Sequence, residues 1–355
     1  MTSARRISVC LFHAKILGAS LIAVSSTAFA DTAEDFYKNR KEMAMVVGSA
    51  PGGGYDGYAR MVARYMSKYT PGNPTFVVNN MPGAGGVRAA NYIYNVAPKD
   101  GSVIAIMDRG LPTAPLLYGE DSKTQFDASK LTWIGSAMSE SGMAVVSSKA
   151  PAKTIEEAKR TELVFGATGA EGDTAMYARL LNEMFGTKFK IIPAYKGQPE
   201  VVQAVVKGEL DGLFMSGWSG QTREQLLRLH EQGEMAFLVQ MSHKRDPAVG
   251  DVPTIMEFVE KPDDRQVMEM ILGRLALGRP FVGPPEIPAD RVRMLRDVFM
   301  QACADPELVL EGDKLRRYIQ PISGEEAQKM IEAIYATPKP VVARIQKLVR
   351  ASPAQ

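Results

Sequence analysis

Cysteine and histidine are scarce in this chain, and their scarcity removes several kinds of chemistry. The 355 residues include 2 cysteines and 3 histidines. They contain no H-E-x-x-H motif, no paired-cysteine metal spacing and no P-loop lysine motif. The sequence therefore predicts no metal site, no cofactor and no catalytic residue.

An excess of one charge is also lacking. The chain has 42 basic and 40 acidic residues. Three of the basic residues, Arg5, Arg6 and Lys15, lie in the first thirty positions, which hold no acidic residue. Nucleic-acid binding requires a clustered basic excess, so we predict none. Beyond the first thirty residues, no apolar run is long enough to predict a transmembrane helix.

The first thirty residues predict a secretory signal. Arg5 and Arg6 precede an apolar stretch, residues 16–24, which is too short to span a bilayer. Ala28 and Ala30 supply the small residues of an A-x-A cleavage site. We predict cleavage after Ala30; a buried N-terminal helix is the alternative. Cleavage would leave Cys303 as the one cysteine, so we predict no intrachain disulfide.

Short apolar strands alternate with amphipathic helices along the rest of the chain. The apolar positions from Tyr58 to Tyr69 recur every three or four residues, which predicts a helix. Ser323 and Glu326 fit a capping box that opens another helix. This alternation favours α/β layers with mostly parallel sheets, and about 325 residues usually form two domains. The strands are predicted at residues 43–47, 75–78, 103–107, 143–147, 163–166, 189–192, 212–215 and 236–239.

The first candidate binding segment is a glycine-rich junction between a strand and a helix. Gly52, Gly53 and Gly54 allow the backbone to approach a ligand closely. Tyr55 and Asp56 follow, and a helix that starts at about Asp56 directs free N–H groups toward the same place, which favours an anion. A tight turn with Asp56 as an ordinary N-cap is the alternative.

A second junction of the same kind follows the strand at residues 163–166. Thr168 and Thr174 offer hydroxyl groups, while Gly169 and Gly172 expose backbone amides. Asp173 and Thr174 also suit an ordinary helix cap. A capping role and a ligand role are compatible here.

Further candidates follow three other strands. Arg109, next to Gly110, suits a bidentate grip on a carboxylate, and a surface or interdomain salt bridge is the alternative. Trp218, near Ser216, suits either stacking on a ligand or packing in the core. Tyr195 suits donation of a hydroxyl group to a cleft.

Several segments together resemble the Bug/TctC family, the periplasmic solute-binding proteins of tripartite tricarboxylate transporters. They occur in the family's order and cover nearly all of the chain after the predicted signal. Each is weak alone, and their combination is specific. The matching segments are residues 51–56 (PGGGYD), 79–86 (NNMPGAGG), 97–101 (APKDG), 168–169 (TG), 195–197 (YKG), 208–211 (GELD), 251–254 (DVPT) and 280–288.

The resemblance implies a type II periplasmic binding fold, in which two α/β domains enclose a hinged ligand cleft. It implies chain crossings near residues 138 and 250, with domain 1 at 31–137 plus 251–355 and domain 2 at 138–250. It also implies that Gly53, Gly54, Thr168, Gly169 and Thr174 hold a ligand carboxylate through amides and hydroxyls.

Two residues depart from the family's common pattern. Ser216 stands where many relatives have an aspartate, and Arg109 stands where many have a small or hydroxyl residue. The loss of an acid and the gain of a base suit a more anionic ligand or one of different shape. The alternative is that neither residue contacts the ligand.

The function that the resemblance implies is that of a receptor and not of an enzyme. We expect a periplasmic, monomeric protein that binds a small organic acid, either a di- or tricarboxylate or an aromatic carboxylate. Its partners would be the membrane permease subunits of a tripartite tricarboxylate transporter. Delivery of the ligand-bound form to a sensor kinase is an alternative, and an enzyme on this scaffold, which would consume its ligand, is a further one.

Overall fold

The computed structural model describes residues 32–168, 173–195 and 197–349. These residues belong to one compact unit. The predicted signal segment and its cleavage site lie outside them. Among the described residues, no helix has the length and apolar character needed to cross a membrane.

Eleven strands and thirteen α-helices are described, joined by loops and short 3₁₀ turns. The strands are β1 Glu42–Val47, β2 Thr75–Asn80, β3 Val103–Ile106, β4 Thr132–Ser136, β5 Gly142–Ser147, β6 Leu163–Gly166, β7 Phe189–Ile192, β8 Gly212–Met215, β9 Met235–Met241, β10 Pro280–Gly283 and β11 Ile322–Ser323. The helices are α1 Ala33–Lys38, α2 Gly54–Tyr69, α3 Val87–Asn95, α4 Ala114–Tyr118, α5 Ile155–Ala158, α6 Asp173–Phe185, α7 Gln198–Lys207, α8 Gly220–Glu231, α9 Pro262–Ala276, α10 Ala289–Ala304, α11 Pro306–Lys314, α12 Gly324–Tyr335 and α13 Lys339–Val349.

All eight predicted strands are present, and three further strands were not predicted. β4 (TWIGS) and β10 (PFVG) each hold only two consecutive apolar residues, followed by glycine and serine in β4 and enclosed by proline and glycine in β10, which are typical of turns. β11 has only two residues. The predicted cap at Ser323 is confirmed, since its side chain accepts a hydrogen bond from the Glu326 N–H.

The strands form two mixed sheets, in the orders β11-β4-β10-β3-β1-β2 and β7-β6-β8-β5-β9. Parallel pairing joins β1 to β2 and β3, and β6 to β7 and β8. The prediction of mostly parallel sheets is wrong, because β5, β10 and β11 each run antiparallel to their neighbours. These three strands begin at the edge where the other strands end.

The chain passes between the sheets at that shared edge. Residues 137–141 lead from the end of β4 in the first sheet to the start of β5 in the second. Residues 242–279, which include α9, lead back from β9 to β10. Since α9 packs into an apolar cluster that also holds residues of both sheets, the strands alone do not divide the chain, and the domain boundaries stay a prediction.

The core covers both faces of each sheet. In β1, Met43, Met45 and Val47 pack with α2 and α10, while Val46 faces the cluster that contains α3 and α9. In the second sheet, one face of β5 and β8 packs with α7. Full burial of such a side chain contributes about 1.5–3 kcal/mol, so the alternation of apolar residues sets which face of each strand is covered.

Gly135 in β4 leaves the space that this packing requires. A Cβ there would lie 2.3 Å from a ring carbon of Phe299 in α10 and 2.9 Å from the Ile322 carbonyl oxygen of β11. We expect Gly135→Ala to lower the free energy of unfolding by about 1–3 kcal/mol, the usual cost of overpacking, in urea denaturation. Gly54→Ala is the control, because a Cβ at Gly54 meets nothing within 4 Å. Equal stability of the two variants would contradict this account of the packing.

Candidate ligand-binding site

The first glycine-rich junction exposes the start of α2. The helix begins at Gly54, and Gly53 is its N-cap, with no side chain capping the first turn. The first N–H groups of a helix have no partner within the helix. A Cβ at Gly52 or Gly54 would meet nothing within 4 Å, so open space borders this backbone. Ser49, just before it, has a buried hydroxyl group with no hydrogen-bond partner among the described residues.

Asp56 holds this loop in place. It is not the N-cap of α2. Its carboxylate accepts hydrogen bonds from the Gly52 N–H at 2.8 Å, from Arg60 at 3.0 Å and from the Asn80 amide at 2.8 Å. Burial alone would raise the pKa of Asp56, but these hydrogen bonds outweigh burial and lower the pKa to about 2. Asp56 is therefore an ionised structural clasp, with its oxygens already occupied.

Tyr55 connects the same loop to the end of β3. Its buried hydroxyl accepts a hydrogen bond from the Arg109 N–H at 3.0 Å, and burial raises its pKa. The Arg279 guanidinium lies 4.9 Å from the centre of the Tyr55 ring and 5.1 Å from that of Tyr58. Tyr55 therefore links the first junction to the backbone of Arg109.

Arg109 belongs to a group of five charged side chains that we call the arginine–carboxylate cluster: Arg109, Glu140, Asp173, Arg274 and Arg279. Arg109 pairs with Glu140 and, at 3.2 Å, with Asp173. Arg279 pairs with Glu140 at 3.2 Å, and Arg274 pairs with Asp173 at 3.4 Å. The exposed fraction rises from 4% for the Glu140 side chain to 24% for Asp173. Of the two outcomes predicted for Arg109, the structure shows a salt bridge.

The cluster lies where the chain crosses between the sheets. Arg109 follows β3, Glu140 lies in the crossing segment 137–141, and Asp173 opens α6. Arg274 lies in the last turn of α9, and Arg279 lies between α9 and β10. Burial opposes the charge on Arg109, but the Glu140 and Asp173 carboxylates outweigh burial and raise its pKa. Arg109 therefore stays charged, and the cluster joins elements of both sheets.

Two glycines make room for the Glu140 side chain. A Cβ at Gly278 would lie 2.9 Å from Glu140 Cγ, and a Cβ at Gly217 would lie 3.3 Å from its carboxylate Oε2. Gly110 lies beside the cluster, and its N–H donates to Asp108 at 2.8 Å. Gly110, Gly217 and Gly278 therefore all lie next to charged side chains of the cluster.

The second junction reaches the cluster through Asp173. The Thr168 N–H donates to the Thr174 hydroxyl oxygen at 3.3 Å; Thr168 is exposed and Thr174 is buried. Gly169 and Gly172 lie outside the described residues.

The side chains of the remaining predicted residues make other contacts, although Ser216 and Trp218 flank Gly217 beside Glu140. Trp218 is 5% exposed and packs in the core of the second sheet, and its indole N–H donates to Asp246 at 2.9 Å. Ser216 accepts a long hydrogen bond from Gln198, at 3.5 Å. Tyr195 packs partly against the same core. The structure favours core packing for Trp218 over stacking on a ligand.

A cavity of about 1240 Å³ also borders the crossing segment, and Glu140 is among its lining residues. Residues 138–141 and 241–247 line it, together with parts of α9 and α12. Trp218 is the one described member of the predicted site among its lining residues. Two of its basic groups are already paired: Arg223 with Asp246, and His243 with Glu269.

Sequence reasoning missed Glu140, Arg274 and Arg279. Glu140 stands between two serines at the predicted crossing, which was the available signal. The two arginines flank a short apolar run, and nothing in the pattern indicated their direction. Within the described ranges, no three His, Cys, Asp or Glu side chains are placed to hold a metal ion.

Comparison with known proteins identifies the family. The family model described as "Tripartite tricarboxylate transporter family receptor" (TctC) matches residues 58–345. A curated relative from Cupriavidus necator, the UPF0065 protein in the gbd 5′ region, is 30% identical over 227 residues. That match covers 62% of this chain and 64% of the relative, slightly less than two thirds of its length.

Solved structures share the fold. A TctC solute-binding protein from Polaromonas, without ligand, has a TM-score of 0.69 and 20% identity, over 88% of this chain and 99% of that one. MatC from Rhodopseudomonas palustris with bound malate has a TM-score of 0.53 and 20% identity, over 87% and 99%. A second Rhodopseudomonas palustris protein, with adipate, has a TM-score of 0.52 and 20% identity, over 86% and 97%.

These likenesses confirm the predicted class, an α/β solute-binding fold with two domains. The family is one of receptors and not of enzymes. The chain belongs to the TctC family of tripartite tricarboxylate transporter receptors.

Proposed function

We propose that this protein is a periplasmic receptor that binds a small organic acid and delivers it to the permease of a tripartite tricarboxylate transporter. Its family membership supports the receptor role. Two structures of this fold hold malate and adipate, and both ligands are dicarboxylates. An aliphatic dicarboxylate is therefore the class of ligand that we favour.

The observation that carries the proposal is the uncapped start of α2 beside the buried arginines. The first turn of a helix offers free N–H groups and a positive dipole end, which together favour an anion. Gly53 and Gly54 leave the approach open, and the unpartnered Ser49 hydroxyl lies beside them. We propose that one ligand carboxylate binds here, with Thr168 closing over it from the second junction.

The cavity of about 1240 Å³ is the less suitable place for a carboxylate. Arg223 pairs with Asp246 at 2.8 Å and Arg245 with Glu257 at 2.6 Å. A ligand there would have to compete with an existing partner at each of these bases. At the start of α2, by contrast, the donors have no side-chain cap to displace.

The first prediction concerns the ligand itself. Titration of the purified chain, cleared of co-purified ligand, with C4–C6 dicarboxylates, citrate, benzoate, phthalate and amino acids should show binding of at least one carboxylate. A ligand at a hundredfold excess over its Kd stabilises the folded state by about 2.7 kcal/mol, which a thermal shift detects. The ligand should be recovered unchanged. No binding of any carboxylate would contradict the proposal, and consumption of the ligand would indicate an enzyme.

Gly53→Val tests the place of binding. A Cβ at Gly53 would lie 3.5 Å from the Ala50 carbonyl oxygen and 3.7 Å from the Ser49 hydroxyl, which is ordinary contact. The valine methyl groups would then cover the helix start, so we expect a loss of carboxylate affinity of about a hundredfold or more, in line with a buried polar site left unfilled. The melting temperature without ligand should change little.

Arg223→Gln, in the wall of the cavity, is the control for Gly53→Val, and we expect it to retain affinity. A folded Gly53→Val protein with wild-type affinity would remove the start of α2 as the site. Loss of affinity in Arg223→Gln alone would place the ligand in the cavity.

Asp56→Asn tests the clasp that holds the loop. Because folding lowers the pKa of Asp56 from 3.8 to about 2, its ionised form stabilises the folded state above about pH 5, and this contribution is lost as the pH falls through about 2. We expect Asp56→Asn to lower the free energy of unfolding by about 2 kcal/mol near pH 7, as for other hydrogen bonds to a charged group, and by much less near pH 2. A difference in urea denaturation that is constant from pH 7 to pH 2 would contradict this role.

A further inference from the structure

Arg274 is short of hydrogen-bond acceptors in the structure. Its side chain is 12% exposed. Among the described residues, its buried Nε has no hydrogen-bond partner, its Nη1 reaches only the Met176 sulfur at 3.8 Å, and its Nη2 lies 3.4 Å from Asp173. A guanidinium group carries five N–H donors in a planar fork that matches a carboxylate. The present contacts leave most of this capacity unused.

Asp173 divides its carboxylate between two arginines. Oδ2 lies 3.2 Å from Arg109 Nη2, and Oδ1 lies 3.4 Å from Arg274 Nη2. Charge-assisted hydrogen bonds of this kind are usually about 2.7–2.9 Å long, so both contacts are loose. Asp173 is also the most exposed member of the cluster, at 24%.

Glu140 holds the other half of the cluster more firmly. Its carboxylate is 4% exposed and receives Arg109 and Arg279. Gly217 and Gly278 lie against its side chain. Removal of the Glu140 carboxylate would leave the Arg279 guanidinium without its ion-pair partner. The cluster therefore has a fixed carboxylate at Glu140 and a replaceable one at Asp173.

We propose that Asp173 stands in the place of a second ligand carboxylate, and that a dicarboxylate displaces it to bind Arg109 and Arg274. The ligand would then reach from the start of α2 to these two arginines, since Arg109 adjoins both Tyr55 and Asp173. Asp173 opens α6, where the helix dipole favours an acidic side chain after its release. The inference rests on the proposed function and adds the place at which the second carboxylate of the ligand binds.

The displacement predicts a gain of function. Asp173→Asn keeps the size of the side chain and removes its charge, so a ligand no longer competes with a carboxylate. We expect calorimetric titration to show about tenfold tighter binding of the dicarboxylate that binds best among succinate, malate and adipate, within the usual range of coupling between two binding events. Butyrate and hexanoate, the monocarboxylates that match succinate and adipate in length, should bind with unchanged affinity.

Asp264→Asn is the matched control. Asp264 is also an acidic residue in the first turn of a helix, and it pairs with Arg344 away from the cluster. Its neutralisation should leave the affinity for both classes of acid unchanged. Arg274→Gln is the second variant, and it should weaken the dicarboxylate about a hundredfold, toward the affinity of its matched monocarboxylate.

The outcomes separate this inference from the proposed function. Failure of every carboxylate to bind either wild type or Asp173→Asn would overturn both. Equal or weaker dicarboxylate binding by Asp173→Asn, with binding by wild type intact, would overturn only the inference. If Asp173→Asn fails to fold, the Arg274→Gln titration decides: equal loss of the mono- and dicarboxylate would overturn the inference, and selective loss of the dicarboxylate would support it.

Discussion

The sharing of two carboxylates by three arginines is the interaction on which the proposed binding site depends. Glu140 and Asp173 hold Arg109, Arg274 and Arg279 at the edge where the chain crosses from one sheet to the other. Removing one partner from a buried ion pair typically costs about 3–5 kcal/mol, a cost that applies to Glu140 and not to the more exposed Asp173. The members of the cluster come from elements of both sheets, so their pairing links the crossing segments to the two predicted junctions. A ligand that enters between the two junctions would contact this cluster.

In this account, the glycine-rich loop and the arginine–carboxylate cluster bind different carboxylates of one ligand. The start of α2 offers backbone N–H groups whose geometry is set by Gly52–Gly54 and by the Asp56 clasp. The cluster offers guanidinium groups that already hold an internal carboxylate. Backbone groups accept any carboxylate of suitable size, whereas the distance to the arginines selects for a second charge. Such a division would let the family keep one carboxylate site while its members differ in ligand.

Much of the fold could be predicted from the sequence, and the reason lies in its local patterns. The glycine turn at residues 52–54, the helical spacing from Tyr58 to Tyr69 and the cap at Ser323 are signals that few residues settle. β11 escaped prediction because it has only two residues, and β4 and β10 escaped because glycine, serine or proline borders their two apolar residues. The antiparallel strands depend on where the chain crosses between the sheets, which is a property of the whole topology. For the site, Arg109 was found because it follows a strand directly. Glu140, Arg274 and Arg279 were missed because tertiary packing brings them together. For Trp218, the sequence did not show that Asp246 would accept its indole N–H and so allow burial in the core.

The central claim is that a ligand carboxylate binds at the start of α2 while a second one replaces Asp173 on the arginines. A crystal structure of the protein with the dicarboxylate that binds best, compared with a ligand-free crystal, tests it most directly. The account predicts one carboxylate within hydrogen-bond distance of the Gly54 N–H and the other on Arg109 and Arg274, with Asp173 turned away from both. A ligand bound in the cavity beside Trp218, or an Asp173 that still pairs with Arg274 in the complex, would contradict it.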